Sequence, residues 1–376
     1  MTLTLTNAAI LLPDRVVHGT LHAELGVIEA IAPGRSHPGG LDCDGDYVMP
    51  GVVDLHTDNL ERQVQPRQNA RWPSRAALLA HDAQCAAAGI TTVFDALCAG
   101  HAGLDDDRPR TCAEGMADLD ALAPTGLLKA EHFLHLRCEL PAQTMLEQLE
   151  TYANHPLLRL VSLMDHTPGV GQFGDLTRYR AMLRQDGLTP DAIEARIALL
   201  LEQRARLREP NRRAVLSLMA ERGVPIAGHD DSSAEEIAEN LADGIGISEF
   251  PVSVAAASAA RAGGMGVIAG APNLVRGGSH SGNVAVADLL REGLVDALAS
   301  DYVPGSLVHA AFLAAEIGGI GLPAAVGMVT SAPARMAGLN DRGTLALGMR
   351  ADLVRVRVHD GVPVVRQVWR AGERVI

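Results

Sequence analysis

Between residues 50 and 340, apolar strand-like runs alternate with helix-patterned stretches, and this alternation constrains the fold more than any other feature of the chain. Strands are predicted at 52–58, 90–97, 127–140, 157–166, 224–230, 247–253, 266–272 and 296–301. Helix starts between them carry chemical marks: a capping box at Ser233-x-x-Glu236, and Thr189 set before Pro190 as an N-cap and first-turn pair. Eight strands with crossover helices define an α/β fold, a TIM-like (β/α)8 barrel, with 175–223 as a helical insertion after the fourth strand. Both ends of the chain instead alternate apolar and polar residues, broken by Gly, Pro and Asn, as short antiparallel strands do. The expected organisation is a barrel over 51–337, flanked by a small β-sandwich built from residues 1–50 and 338–376.

Barrels of this kind place their active site at the C-terminal ends of the strands. Side chains at i and i+2 of a strand share a face, so His56 and Asp58 at the end of strand one enter one site together. Strand three ends at Glu139, with His135 and Arg137 on the same face; strands four, five and eight end at His166, His229 and Asp301. A lone strand-end histidine is more often a hydrogen-bonded structural residue. Six ligand-type residues at the same end of five strands are a stronger signal. His56, Asp58, Glu139, His166, His229 and Asp301 suffice for one divalent ion, or for two that share a bridging carboxylate. Asp301 is also placed to accept the proton of an attacking water.

Arg62, Arg67, Arg71 and Arg75 lie in the polar run that leaves strand one, and Arg276 and His280 lie in the glycine-rich stretch 273–283 after strand seven. The planar guanidinium fork suits phosphate oxygens. Arg62, Arg67, Arg71, Arg137, Arg276 and His280 are therefore the candidate contacts to an anionic substrate, against the plainer reading of a solvated loop or a glycine turn. The segment 169–175, GVGQFGD, is expected to line or cover the site. A net charge of −13 argues against non-specific nucleic-acid binding, so an anion must be held by a local arginine cluster. No run reaches the ~18 apolar residues of a membrane span, and the N-terminus lacks the marks of a signal peptide. Five scattered cysteines without a CxxC pair point to reduced thiols and a cytoplasmic protein. No P-loop, Rossmann fingerprint or nucleophile elbow is present.

The pattern PGVVDLHTD, a strand-end Glu, two later strand-end His, a final SD and the tail GLNDRGTLALGMRADLVRV together resemble the amidohydrolase superfamily. Long strings such as LHTDNLERQVQPR, AHDAQCAAAGITTVFDAL, HLRCELP and MDHTPGVGQF narrow the resemblance to members acting on a sugar 5-triphosphate. The resemblance implies a metal-bearing barrel joined to a β-sandwich from both chain ends, and hydrolysis of the triphosphate with release of pyrophosphate. A divalent ion, Zn, Mn or Mg, would lower the pKa of bound water from about 16 to about 7. Two features depart from the commoner pattern. His-x-Asp stands where His-x-His is usual, which favours Mg or Mn relative to Zn. The bridging residue in many relatives is a carboxylated lysine, and Lys129, the single lysine, sits at the wrong end of its strand, leaving Glu139 as the better bridge. The alternatives are hydrolysis of a cyclic amide, the commoner superfamily chemistry, and a metal-free scaffold without catalysis. A homo-oligomer is compatible with the sequence and not specified by it.

Overall fold

The computed structural model describes residues 2–34, 39–67, 70–101, 107–279 and 281–376. Eight strands, Val52–Thr57, Ile90–Ala99, Glu131–Glu139, Leu158–Met164, Ile226–His229, Ile247–Glu249, Gly266–Gly270 and Ala297–Ala299, pair in parallel in sequence order. The ring closes where Thr57 is bridged to Asp301. There the Asp58 N–H donates to the Asp301 carbonyl at 3.0 Å, and the Asp301 N–H donates to the His56 carbonyl at 2.9 Å. Val53, Leu55, Phe94, Phe133, Leu160, Ala227, Ile247 and Ile268 pack together inside the barrel, so the polar strand ends rest on an apolar plug.

The last strands are shorter than the sequence predicts. The sixth stops at Glu249 and the eighth at Ala299, because the following backbone turns out of the sheet. Asp230, Phe250 and Asp301, one or two residues past the ends of strands five, six and eight, all have φ near +55°. Such left-handed geometry costs a non-glycine residue of order 1–3 kcal/mol and clusters at functional sites.

Strands from both chain ends form a separate β domain. They include Thr2–Leu11, Val16–Glu24, Val27–Pro33 and Tyr47–Pro50 from the start, and Leu353–His359 and Val362–Arg370 from the end. Tyr47–Pro50 pairs antiparallel with Leu353–His359, joining the two ends of the chain, and Leu5, Ile10, Leu21, Ile28, Val48, Leu353 and Trp369 form the domain's core. Charge ties this domain to the underside of the barrel. Glu131, at the start of the third barrel strand, accepts from both Arg342 and Arg350. Lys129 donates its Nζ to the Val375 carbonyl at 3.0 Å, and Arg370 donates to the Ala130 carbonyl at 2.8 Å.

The insertion after strand four consists of helices Leu176–Gln185 and Pro190–Ala220. Thr189 caps the second by accepting from the Ala192 N–H. The Ser233 box is only half formed as predicted: Ser233 accepts from the Glu236 N–H, but the Glu236 carboxylate turns to the N–H and hydroxyl of Ser232. Among the described residues no helix is long and apolar enough to cross a membrane. All five cysteines are free and buried.

Between helix Ser74–Ala87 and the second and third barrel strands lies a fully buried polar network. His132 donates to Asp95 at 2.8 Å and to Asp82 at 3.2 Å, and His81 Nε2 meets the other Asp95 oxygen at 2.7 Å. The Asn59 amide meets His81 Nδ1 at 2.9 Å, which assigns His81 as the neutral Nε2–H tautomer. Burial opposes charge on His132, but the carboxylates of Asp95 and Asp82 outweigh it and hold its pKa at about 9. A histidine whose pKa is raised on folding adds stability that is full below its unfolded value near 6.5 and is lost as pH rises through 9. The difference in unfolding free energy between wild type and His132→Gln should therefore be largest at pH 6 and shrink steadily towards pH 9.5. Urea denaturation across that range measures it.

Candidate metal centre and substrate cavity

The strand ends open into a cavity of about 300 Å³, lined by His56, Asp58, Arg108, Arg137, His166, His229, Asp230, Asp301 and Tyr302 on its polar side. Phe250, Val252, Pro272, Val284, Val286 and Leu289 form an apolar wall. His56, Asp58, His166, His229 and Asp301 thus converge, although they come from four strands.

What orients the imidazoles is a pair of buried glutamates. Glu249, fully buried, accepts from His56 Nδ1 at 2.9 Å through one oxygen and from His229 Nδ1 at 2.7 Å through the other. Glu139 accepts from His166 Nδ1 at 2.6 Å and from the His166 N–H at 2.9 Å. With every Nδ1 engaged by a carboxylate, Nε2 is the ring nitrogen left with a lone pair, the arrangement of metal-ligating histidines. Glu139 is expected from its strand position to be a ligand. The structure instead sets it behind His166, with both oxygens occupied. Lys129 lies at the opposite end of its strand, against the β domain.

His166, His229 and Asp230 each offer a ligand atom within 4.8 Å of the others. One Asp58 oxygen is buried and has no hydrogen-bond partner. Burial, then the neighbouring Asp58 charge, raises the Asp301 pKa to about 8. An orphaned carboxylate oxygen and crowded acids beside outward-facing imidazoles are the donor set a divalent cation satisfies, so the residues fit a metal. His135 does not join them. Its Nδ1 meets the Leu55 carbonyl at 2.9 Å and its Nε2 the Ser162 hydroxyl at 3.0 Å, and burial lowers its pKa to about 3.

Few of the predicted arginines face the cavity. Asn59–Val64 is a helix, and the chain beyond it turns towards helix Arg108–Leu122. Arg71 pairs with Glu114 at 2.7 Å and Arg75 with Asp118 at 2.8 Å, so both serve packing. Arg67 is exposed, with its backbone bridged to Ala70. Arg62 lies over the ring of Tyr302, a residue of the cavity wall, and donates to its carbonyl. Arg276 is exposed at the end of helix Ala271–Arg276, and His280 lies outside the described residues. Arg137 does line the cavity, together with Arg108. Gln172 of the 169–175 segment also lines it, and Gly171 packs against Asp230 there, where an added Cβ would come within 3.2 Å.

Asp230, Glu249 and Arg108 are not among the residues predicted from sequence. Asp230 directly follows His229, and its neighbour's ligand character was a usable signal. Glu249 ends a three-residue strand that the apolar pattern overextends to 253, which hides its terminal position.

Over residues 269–376 the chain matches the model of the amidohydrolase family. It is 40% identical over 375 residues to alpha-D-ribose 1-methylphosphonate 5-triphosphate diphosphatase of Escherichia coli strain K12, covering 99% of each chain. The chain belongs to the amidohydrolase superfamily. Solved structures agree on the fold. The 5-methylcytosine deaminase of Klebsiella pneumoniae aligns with a TM-score of 0.65 at 16% identity, covering 100% of this chain and 97% of that one. N-acetyl-D-glucosamine-6-phosphate deacetylase from Mycobacterium smegmatis aligns with a TM-score of 0.65 at 18% identity, each chain fully covered. Superfamily membership and the full-length relative make the chain a hydrolase acting on a small molecule.

Replacing the acceptor that orients two ligands should loosen metal without removing a ligand. Glu249→Gln is expected to weaken divalent-metal affinity roughly 10- to 100-fold, read by competition with a chelator, whereas Lys129→Met leaves metal content unchanged. Metal loss in the lysine variant would transfer the bridging role to a carboxylated lysine.

Proposed function

We propose that this protein hydrolyses alpha-D-ribose 1-methylphosphonate 5-triphosphate to the 5-phosphate and pyrophosphate, in phosphonate breakdown by the carbon–phosphorus lyase pathway. The observation that carries the reading is full-length identity of 40% to a relative with that activity. A cavity that sets buried Arg137 and half-buried Arg108 beside a metal-type donor set supports it.

His56, His166 and His229, with Asp58, Asp230 and Asp301, would hold one or two divalent ions. When bound, such an ion supplies Lewis acidity and lowers the pKa of water. The rest of the chemistry falls to the chain. Asp301, at the mouth of the closed ring beside Asp58, receives the proton of the attacking water. Water attacks the α-phosphorus in line, the bond from that phosphorus to the α–β bridging oxygen breaks, and pyrophosphate leaves carrying its charge. Arg137 and Arg108 offset that charge. Glu249 and Glu139 keep the imidazoles oriented throughout.

Two measurements separate this from other openings of a triphosphate. ³¹P NMR of the reaction should give pyrophosphate as the sole inorganic product, since attack at the γ-phosphorus would release orthophosphate. In ¹⁸O-water the label should enter the sugar monophosphate and not the pyrophosphate. Label in pyrophosphate would mean attack at the β-phosphorus. Turnover of hydantoin or dihydroorotate in place of the triphosphate would replace the reading with cyclic-amide hydrolysis.

A further inference from the structure

One wall of the cavity, beside Asp58, sets two guanidinium groups side by side. Arg137 is 4% exposed, and Arg108 lines the same cavity. Arg137 Nη2 donates to Glu61 Oε1 at 3.0 Å, and Arg108 Nε stands 3.5 Å from the other Glu61 oxygen. Both arginines also reach the Cys98 sulfur, at 3.0 Å from Arg137 and 3.7 Å from Arg108. Cys98 adds no counter-charge: burial pushes its thiol up to about 11, so it stays neutral. Arg137 Nη1 stands 3.7 Å from Asp58, whose charge is shared with the metal-type donor set. Among the described residues, Glu61 is the one carboxylate that lies against both guanidinium groups, while Asp58 stands beside Arg137. Among the described residues, the Nε–H groups of both Arg108 and Arg137 are buried and make no hydrogen bond of normal geometry. A guanidinium is desolvated at a cost of several kcal/mol unless its charge is compensated, and both of these side chains line the cavity.

We propose that Arg108 and Arg137 form a subsite for a phosphate-type oxyanion, the pyrophosphoryl end of the substrate, with Glu61 as its internal counter-ion. The proposal rests on the triphosphate reading above and adds which wall takes the leaving group and which residue opposes it. Glu61 is the unusual part. Lying against both arginines, it offsets part of their charge before an anion arrives and then competes with that anion. It therefore limits how tightly the product is retained, because a carboxylate left next to a bound pyrophosphate repels it. The two kinds of residue act in opposite directions on one equilibrium, which a merely structural ion pair would not do.

The test is titration calorimetry of the metal-loaded protein with inorganic pyrophosphate, with metal content verified to be equal in every variant. Arg108→Gln should weaken pyrophosphate binding roughly 10- to 100-fold, the loss of a charge-assisted contact, and Arg108→Lys should restore part of it. Glu61→Gln should tighten binding several-fold. Pyrophosphate binding unchanged in Arg108→Gln would show that the metal alone holds the anion and would overturn the proposal. Weakening in Glu61→Gln comparable to that in Arg108→Gln would also overturn it, because the cluster would then be scaffolding. These are equilibrium measurements on the product anion. They stand if the substrate turns out to be a different phosphate ester, and they fail on their own if triphosphate hydrolysis is found without the arginine dependence.

Discussion

The site depends on how the barrel closes. Strands one and eight meet through two backbone hydrogen bonds, Asp58 N–H to the Asp301 carbonyl and Asp301 N–H to the His56 carbonyl. One turn deeper, Asp54 accepts from the Ser300 N–H at 3.0 Å across the same seam. The residues that complete the ring are therefore the residues proposed to carry the chemistry. Correct folding and correct placement of His56, Asp58 and Asp301 are accordingly one condition and not two.

The fold was legible in the chain because burial imposes a period. Eight apolar runs separated by helix-length stretches leave few arrangements other than a ring of parallel strands. Predicted and observed strands agree in place and order, and they differ at their C-terminal ends. There the left-handed residues Asp230, Phe250 and Asp301 stop the sheet. Hydrophobic patterning carries no information about a positive φ on a non-glycine residue, so the pattern ran on into the loops at 250–253 and 300–301.

The site was legible as far as strand parity reaches. His56, Asp58, Arg137, His166, His229 and Asp301 line one cavity because they end strands that point the same way. Contacts between distant parts of the chain were not legible. That Glu249 would serve two histidines, one 20 and the other 193 residues away, has no local signature. The arginine run after strand one misled for the opposite reason. Its density suggested a phosphate loop, but a short helix at Asn59–Val64 redirects it, and Arg71 and Arg75 find acids on the next helix. The arginine that does line the cavity beside Arg137, Arg108, comes from that neighbouring helix. It has no arginine-rich context to distinguish it.

The tie between the terminal β domain and the barrel has a mechanical consequence. Glu131 gathers Arg342 and Arg350 at the foot of the third strand, while Lys129 and Arg370 fasten the adjoining backbone to the C-terminal strands. All of these contacts lie at the end of the barrel away from the cavity. The two units are thus pinned on the far side of the ring from the cavity. Exchange of substrate and product with solvent then takes place at the loop end of the barrel, where the cavity lies. The rate of that exchange is then a property of a few short connections, and a change to the β domain should affect how long the enzyme survives far more than how fast it turns over.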